Sequence, residues 1–185
     1  LFLDAPISGS TERATDGTLT IMAGGPQQAY NQALPVFDAM GATVRRIGPT
    51  GTGTTVKLIN QLLVGIHSVA AAEAMLLGAK AGADPELVFE VLNSGCGQSF
   101  ISSRNAPAML GRDFEGVRSQ INVFLKDLGL VEELAHELNT PTPAGDVAFK
   151  LLKEAVRQGL GEKDGAAVVL PLEAKAGFQI QRLPN

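Results

Sequence analysis

Apolar positions change spacing near residue 50. In residues 1–48 the apolar runs are short and bounded by glycine and proline, the pattern of strands with one intervening helix. Leu1 to Ile7 reads as a buried strand and Ser8 to Gly17 as a polar loop. Leu19 to Ala23 is a second strand, closed by Gly24-Gly25-Pro26. A helix over 26–40 follows, with Leu34, Val36, Phe37 and Met40 near helical spacing and Pro35 as a possible kink. Val44 to Ile47 is a third strand, ended by Gly48-Pro49.

From about residue 52 every pattern is helical. Thr52 or Thr54 is placed to cap a helix running to Ala81, with Val56, Ile59, Leu62, Leu63, Ile66, Val69, Ala70 and Leu77 as its apolar stripe. At about 28 residues it would span roughly 42 Å, more than a small domain needs, so it is expected to lie between domains or subunits. Gly82 ends it, and Asp84-Pro85 opens a helix to Asn93. Further helices are expected over 98–110, interrupted near Pro107, and along Ile121, Phe124, Leu125, Leu128, Val131, Leu134 and Leu138. Another is opened by Thr142-Pro143 and ends at Gly159 or Gly161, and a last one covers 164–176, interrupted by Pro171. The fold class is thus α/β, the end of a Rossmann-type sheet over 1–50, followed by an all-α helical domain over 51–185. The chain opens within a strand without an initiator methionine, which suggests that an N-terminal part is missing.

Composition narrows the function. The 185 residues are 45% hydrophobic and 18% charged, enough apolar content for a core. The net charge of −4 includes no basic block, which removes the electrostatic footing for nucleic acid, and the few aromatics argue against base stacking. No uninterrupted apolar run approaches about 18 residues, so no membrane span is expected. A single cysteine excludes an internal disulfide, two distant histidines make a metal site unexpected, and the absence of a signal peptide defaults to the cytoplasm.

Candidate chemistry is sparse. The loop Gly48-Pro49-Thr50-Gly51-Thr52-Gly53-Thr54-Thr55 follows a strand and opens a helix, as nucleotide-binding loops do. It fails as a P-loop and half-matches the dinucleotide fingerprint, with Val56 in place of the third glycine. An ordinary helix-entry loop fits as well. Lys57 stands near the start of the long helix, with Asn60 and Gln61 on the same face. The positive end of the helix destabilises an ammonium there, which suits acid–base work, although a solvated lysine is the plain alternative. His67 lies about 15 Å further along the axis. Cys96, in a glycine turn, reads as a bystander thiol, and Glu132, Glu133 and Glu137 as a solvated face. In Asp4-Ala5-Pro6-Ile7-Ser8-Gly9-Ser10, backbone amides and a serine hydroxyl could hold a carboxylate, or simply form a turn.

Three segments in order, Asp4 to Gly9 with Gly17 to Gly25, Gly51 to Gln61, and Lys126-Asp127-Leu128-Gly129-Leu130, resemble the β-hydroxyacid dehydrogenase family, which includes 3-hydroxyisobutyrate dehydrogenase and is related to 6-phosphogluconate dehydrogenase. The resemblance implies a Rossmann domain for NAD or NADP, a 6-phosphogluconate-dehydrogenase-like helical domain, and an active site between them. It implies Lys57 as the catalytic lysine, Ser8, Gly9 and Asn60 as substrate binders, Lys126 near the nicotinamide, and Asp127 supporting Lys126. Ser10 and Arg13-Ala14 replace glycines or a Gly-Ala pair of the family loop, which bears on substrate range; Arg13 is either an extra cationic contact or solvated. Gly97-Gln98-Ser99-Phe100 with Arg104-Asn105 is similar to threonate-type members, implying a substrate with several hydroxyls, with Ser99 and Arg104 either binding it or serving as a helix cap and a surface charge. The implied partners are a small hydroxyacid and further copies of the chain, as a dimer or tetramer. The first glycine fingerprint is absent from these residues, so the 185 residues alone are expected to be inactive. The readings from other classes are a non-catalytic helical dimerisation module, an imine reductase relative and a lysine Schiff-base enzyme.

Overall fold

The computed structural model describes residues 1–182, which divide into two compact units, one over Leu1–Gln61 and one from Leu62 onward. The first unit is a three-stranded sheet in the order β1 (Ile7–Ser8), β2 (Thr20–Gly24), β3 (Thr43–Gly48). β1 runs antiparallel to β2, with Ser8 opposite Thr20, and β2 runs parallel to β3, with Ile21 opposite Val44. A parallel pair needs a crossover. It is α2 (Gln27–Met40), whose Tyr30, Leu34 and Phe37 pack on the buried Leu19, Ile21 and Val44.

Several expectations for this unit are corrected. The first strand is two residues long, preceded by an isolated bridge from Asp4 to Gly24, while Leu1 and Phe2 are exposed. The polar loop contains a helix, α1 (Ser10–Thr15), with no buried residue. Lacking an apolar stripe, it left no periodicity to read. Its entry requires unusual backbone: Gly9 has φ 141°, and Ser10 follows at φ 56°. Pro35 lies inside α2 on its exposed side without ending it, and Val36 and Met40 are exposed.

α3 (Thr52–Lys80) is one continuous helix. Its apolar stripe is not wholly the one expected. Ile59, Leu63, Ala70 and Leu77 are exposed, and the buried positions are Gly53, Gly65, Ser68, Val69, Ala71, Ala72, Met75, Leu76 and Ala79, a face dominated by small residues. By length and composition α3 could cross a membrane, with mean hydropathy 1.7 over its best window, of which 44% is buried inside the protein. Counting uninterrupted runs overlooked it because Asn60, Gln61, His67 and Ser68 punctuate the apolar residues. Gly82 ends the helix as expected, at φ 91°, its N–H donating to Ala79 O.

The second unit is helical. α4 (Pro85–Ser94) is capped by Asp84, which accepts from Glu86 N at 2.9 Å. α5 (Phe100–Gly111) runs through Pro107 unbroken. α6 (Ile121–Glu137) buries Ile121, Phe124, Leu128 and Val131. α7 (Pro143–Arg157) starts at Thr142, whose side chain makes no cap bond. The last expected helix is a 3₁₀ turn, Gly165–Val168, continuing into α8 (Val169–Ala176); Pro171 falls in its first turn, where a missing N–H costs little. Asp164 is wholly buried, accepting from Ala166 N at 3.0 Å and Arg118 N at 2.9 Å, with the Arg118 guanidinium 3.6 Å away. α5 ends on Arg112, left-handed at φ 55°, whose guanidinium meets the buried Glu173 at 2.6 Å; the same Glu173 oxygen accepts from Ile180 N at 2.9 Å.

Candidate active-site elements

In the first unit the start of α3 is organised by a residue outside the helix. The Asp4 carboxylate accepts from Gly51 N through Oδ1 at 2.7 Å, and from Thr54 N at 2.7 Å and Thr54 Oγ1 at 3.1 Å through Oδ2. Its backbone bridges to Gly24 in both directions, at 3.1 and 2.7 Å. Burial alone would push the Asp4 carboxyl up, but these hydrogen bonds outweigh it and hold the group below its ordinary value. The threonines expected to cap α3 therefore do not: Thr52 Oγ1 donates to Pro49 O at 2.7 Å, and Thr54 donates to Asp4. Two amides of the glycine-rich loop, those of Gly51 and Thr54, are thus engaged by the chain's own carboxylate.

Lys57 lies one turn after Thr54 and is half-buried. Asn60, also half-buried, donates through Nδ2 to Gln61 Oε1 at 2.9 Å. Ser8 is in β1 and Gly9 follows it, so Ser8, Gly9, Lys57 and Asn60 fall in one compact unit. A Cβ on Gly9 would come within 2.7 Å of the Arg13 side chain, so the aliphatic stem of Arg13 lies against the loop while the residue remains exposed.

The other expected residues belong to the second unit. Ser99 is the N-cap of α5: its hydroxyl accepts from Ser102 N at 3.0 Å while Ser102 Oγ accepts from Ser99 N at 2.9 Å, a reciprocal capping box. Lys126 is an exposed ammonium 2.8 Å from the carboxylate of the largely buried Asp127. Arg104 donates through Nε to the wholly buried Asn105 at 3.1 Å and stands over the Phe124 ring at 6.0 Å. A polar depression of about 580 Å³ among Gln120, Asn122, Gly159 and Lys163 contains none of these residues. Among the described residues no group of three or more His, Cys, Asp or Glu is placed to hold a metal.

Sequence reasoning missed the tie made by Asp4 and the buried Asp164–Arg118 pair. A signal for the first was present, since a carboxylate inside a segment read as a buried strand demands donors. The second had none, because its partners are 46 residues apart.

The family model described as the NAD-binding part of NADP-dependent 3-hydroxyisobutyrate dehydrogenase matches residues 51–172, and that of the NAD-binding domain of 6-phosphogluconate dehydrogenase matches residues 1–48. The chain is 39% identical over 170 residues to an L-threonate dehydrogenase of Cupriavidus necator, covering 91% of this chain and 57% of the relative. It is 34% identical to a 2-(hydroxymethyl)glutarate dehydrogenase of Eubacterium barkeri, covering 97% and 60%. The solved 3-hydroxyisobutyrate dehydrogenase of Salmonella typhimurium matches with a TM-score of 0.87 at 39% identity, over 91% of this chain and 59% of that one. The chain therefore spans less than two thirds of the length of these relatives. A sheet fragment followed by a helical unit, with family matches across both, makes this chain a member of the β-hydroxyacid dehydrogenase family.

Proposed function

We propose that the whole protein to which this chain belongs is an NAD(P)-dependent oxidoreductase of small hydroxyacids, and that Lys57 is its general acid–base. The observation that carries the reading is that Ser8 and Gly9, on one segment, and Lys57 and Asn60, on another, are built into a single compact unit through Asp4. The Ser8 hydroxyl and the Gly9 backbone suit a substrate carboxylate. Lys57, one turn from the positive end of α3, takes the proton of the substrate hydroxyl during oxidation and returns it during reduction. Asn60, on the same face, holds the substrate beside it.

The residues present fit the nicotinamide end of a cofactor and not its phosphates. Lys126 offers an exposed cationic donor steadied by Asp127, whereas the glycine-rich start of α3 is filled by Asp4. When bound, the nicotinamide exchanges hydride with the substrate carbinol carbon. Residues 1–50 serve as the end of the dinucleotide-binding domain, and 51–185 as the substrate and dimerisation domain. Ser99 orders the start of α5 through its capping box, and its contact with substrate is the finest part of the proposal. The fingerprint Gly-x-Gly-x-x-Gly does not occur in these 185 residues, so by themselves they are expected to show no turnover.

In the full-length enzyme, Lys57→Ala should lower turnover about 10²–10⁴-fold while NADPH binding, followed by nucleotide fluorescence, stays near wild type. Near-normal turnover would refute the assignment. The competing reading, a non-catalytic association module, draws on the exposed Ile59, Leu63 and Leu77 of α3 and requires that the same variant change nothing.

A further inference from the structure

The start of α3 has the form of an anion receptacle, with free amides at a positive helix end and glycines that permit close approach. The structure fills it from within. Gly51, at φ 94°, turns its N–H onto Asp4 Oδ1, and Thr54 supplies an amide and a hydroxyl to Oδ2, so both carboxylate oxygens are engaged and its orientation is fixed as well as its position. Gly24 and Gly53 press close to the carboxylate, while Gly51 and Thr54 are exposed. A Cβ on Gly24 would lie 2.4 Å from Asp4 Oδ1, and one on Gly53 would lie 2.3 Å from Met22 O and 2.9 Å from Asp4 Oδ2.

The lever arms on either side are short. Towards the N-terminal segment, Pro6 O accepts from Met22 N at 3.0 Å and β1 begins at the next residue, so the path from Asp4 to Ser8 and Gly9 is held on the sheet throughout. Along α3, Lys57 is three residues beyond Thr54, about one rigid turn. A displacement at the carboxylate is therefore handed to both halves of the proposed site.

We propose that Asp4 is a positioning residue: lodged at the start of α3, it fixes the Ser8–Gly9 segment relative to Lys57 and Asn60 and closes that helix end to external anions. The inference rests on the reading of Lys57, Ser8 and Gly9 given above.

The test uses three variants of the full-length enzyme assayed with a small hydroxyacid and NAD(P), their folded fraction matched by circular dichroism. Asp4→Asn should lose on the order of tenfold or more in kcat/KM, because misplacement of reacting groups by a fraction of an ångström is enough. Asp84→Ala removes the side-chain cap of α4, a single bond from Glu86 N, and should leave kcat/KM at the wild-type value. Full activity in Asp4→Asn, or equal losses in both variants, overturns the proposal. Lys57→Ala is run beside them: retained turnover there overturns the underlying site, whereas an inactive Lys57→Ala beside a fully active Asp4→Asn overturns only the role of Asp4. If Asp4→Asn does not fold, the wild-type chain decides. The amide resonances of Gly51 and Thr54 should titrate together with the Asp4 carboxyl and stay unmoved by millimolar inorganic phosphate. Independent titration, or displacement by phosphate, overturns the proposal.

Discussion

Two hydrogen-bonded carboxylates, Asp164 and Asp4, show how few side chains hold each unit in register. Asp164 accepts from three backbone amides, those of Arg118, Ser119 and Ala166, and faces the Arg118 guanidinium from a fully buried position. Its replacement by alanine strands those donors, and Asp164→Ala should lower stability by about 2–4 kcal/mol in urea unfolding. Asp4 gives a pH signature. Its folded value is depressed, so its stabilising effect is fully present above the ordinary carboxyl value of 3.8 and is lost as pH falls through the lower folded value. Asp4→Asn should therefore flatten the acid limb of the stability–pH curve, as read by thermal melts between neutral pH and about pH 2. Of the two, only the need of Asp4 for donors could be read from the linear pattern. Lys57 drew attention as a candidate because a lysine at a helix start conflicts with the helix field, and such a conflict can be read locally. Asp4 is assembled from partners 47 and 50 residues away, which no local pattern reveals.

At the level of elements, boundaries were legible where a local cause existed. Gly82, Asp84-Pro85 and Gly95 mark the ends of α3 and α4 because turns and caps are chosen by neighbouring residues. α1 was missed because a six-residue exposed helix carries no stripe, and the buried face of α3 was partly misassigned because alanine and serine weigh little in a hydropathy pattern yet permit close packing. Small residues elsewhere are equally tight. A Cβ on Gly165 would lie 2.2 Å from the Phe124 ring, so Gly165→Ala should cost about 1–3 kcal/mol, measured as a lower urea midpoint with an unchanged m-value.

For the whole molecule, the two units differ in how much apolar surface they close. The first rests on Leu19, Ile21 and Val44 with a few half-buried neighbours, whereas the second buries residues from every one of its helical segments, including Met109, Leu152 and Val168. Small cores leave little margin. Native-state hydrogen exchange should accordingly show the amides of β2 and β3 opening at lower free energy than those of α5 to α7. The general plan, sheet then helices with one long helix, was readable from the change in periodicity alone; the difference in robustness was not, since it depends on which apolar residues meet.

Arg112 turns the chain at a conformation that glycine adopts without penalty. An engineer scanning for backbone relief would replace it. The arginine, however, is the partner of the carboxylate that also fastens Ile180, so the swap would gain local ease and release a strap at the far end of the unit. Arg112→Gly is thus a position where a rule of thumb about left-handed residues gives the wrong sign for thermostability.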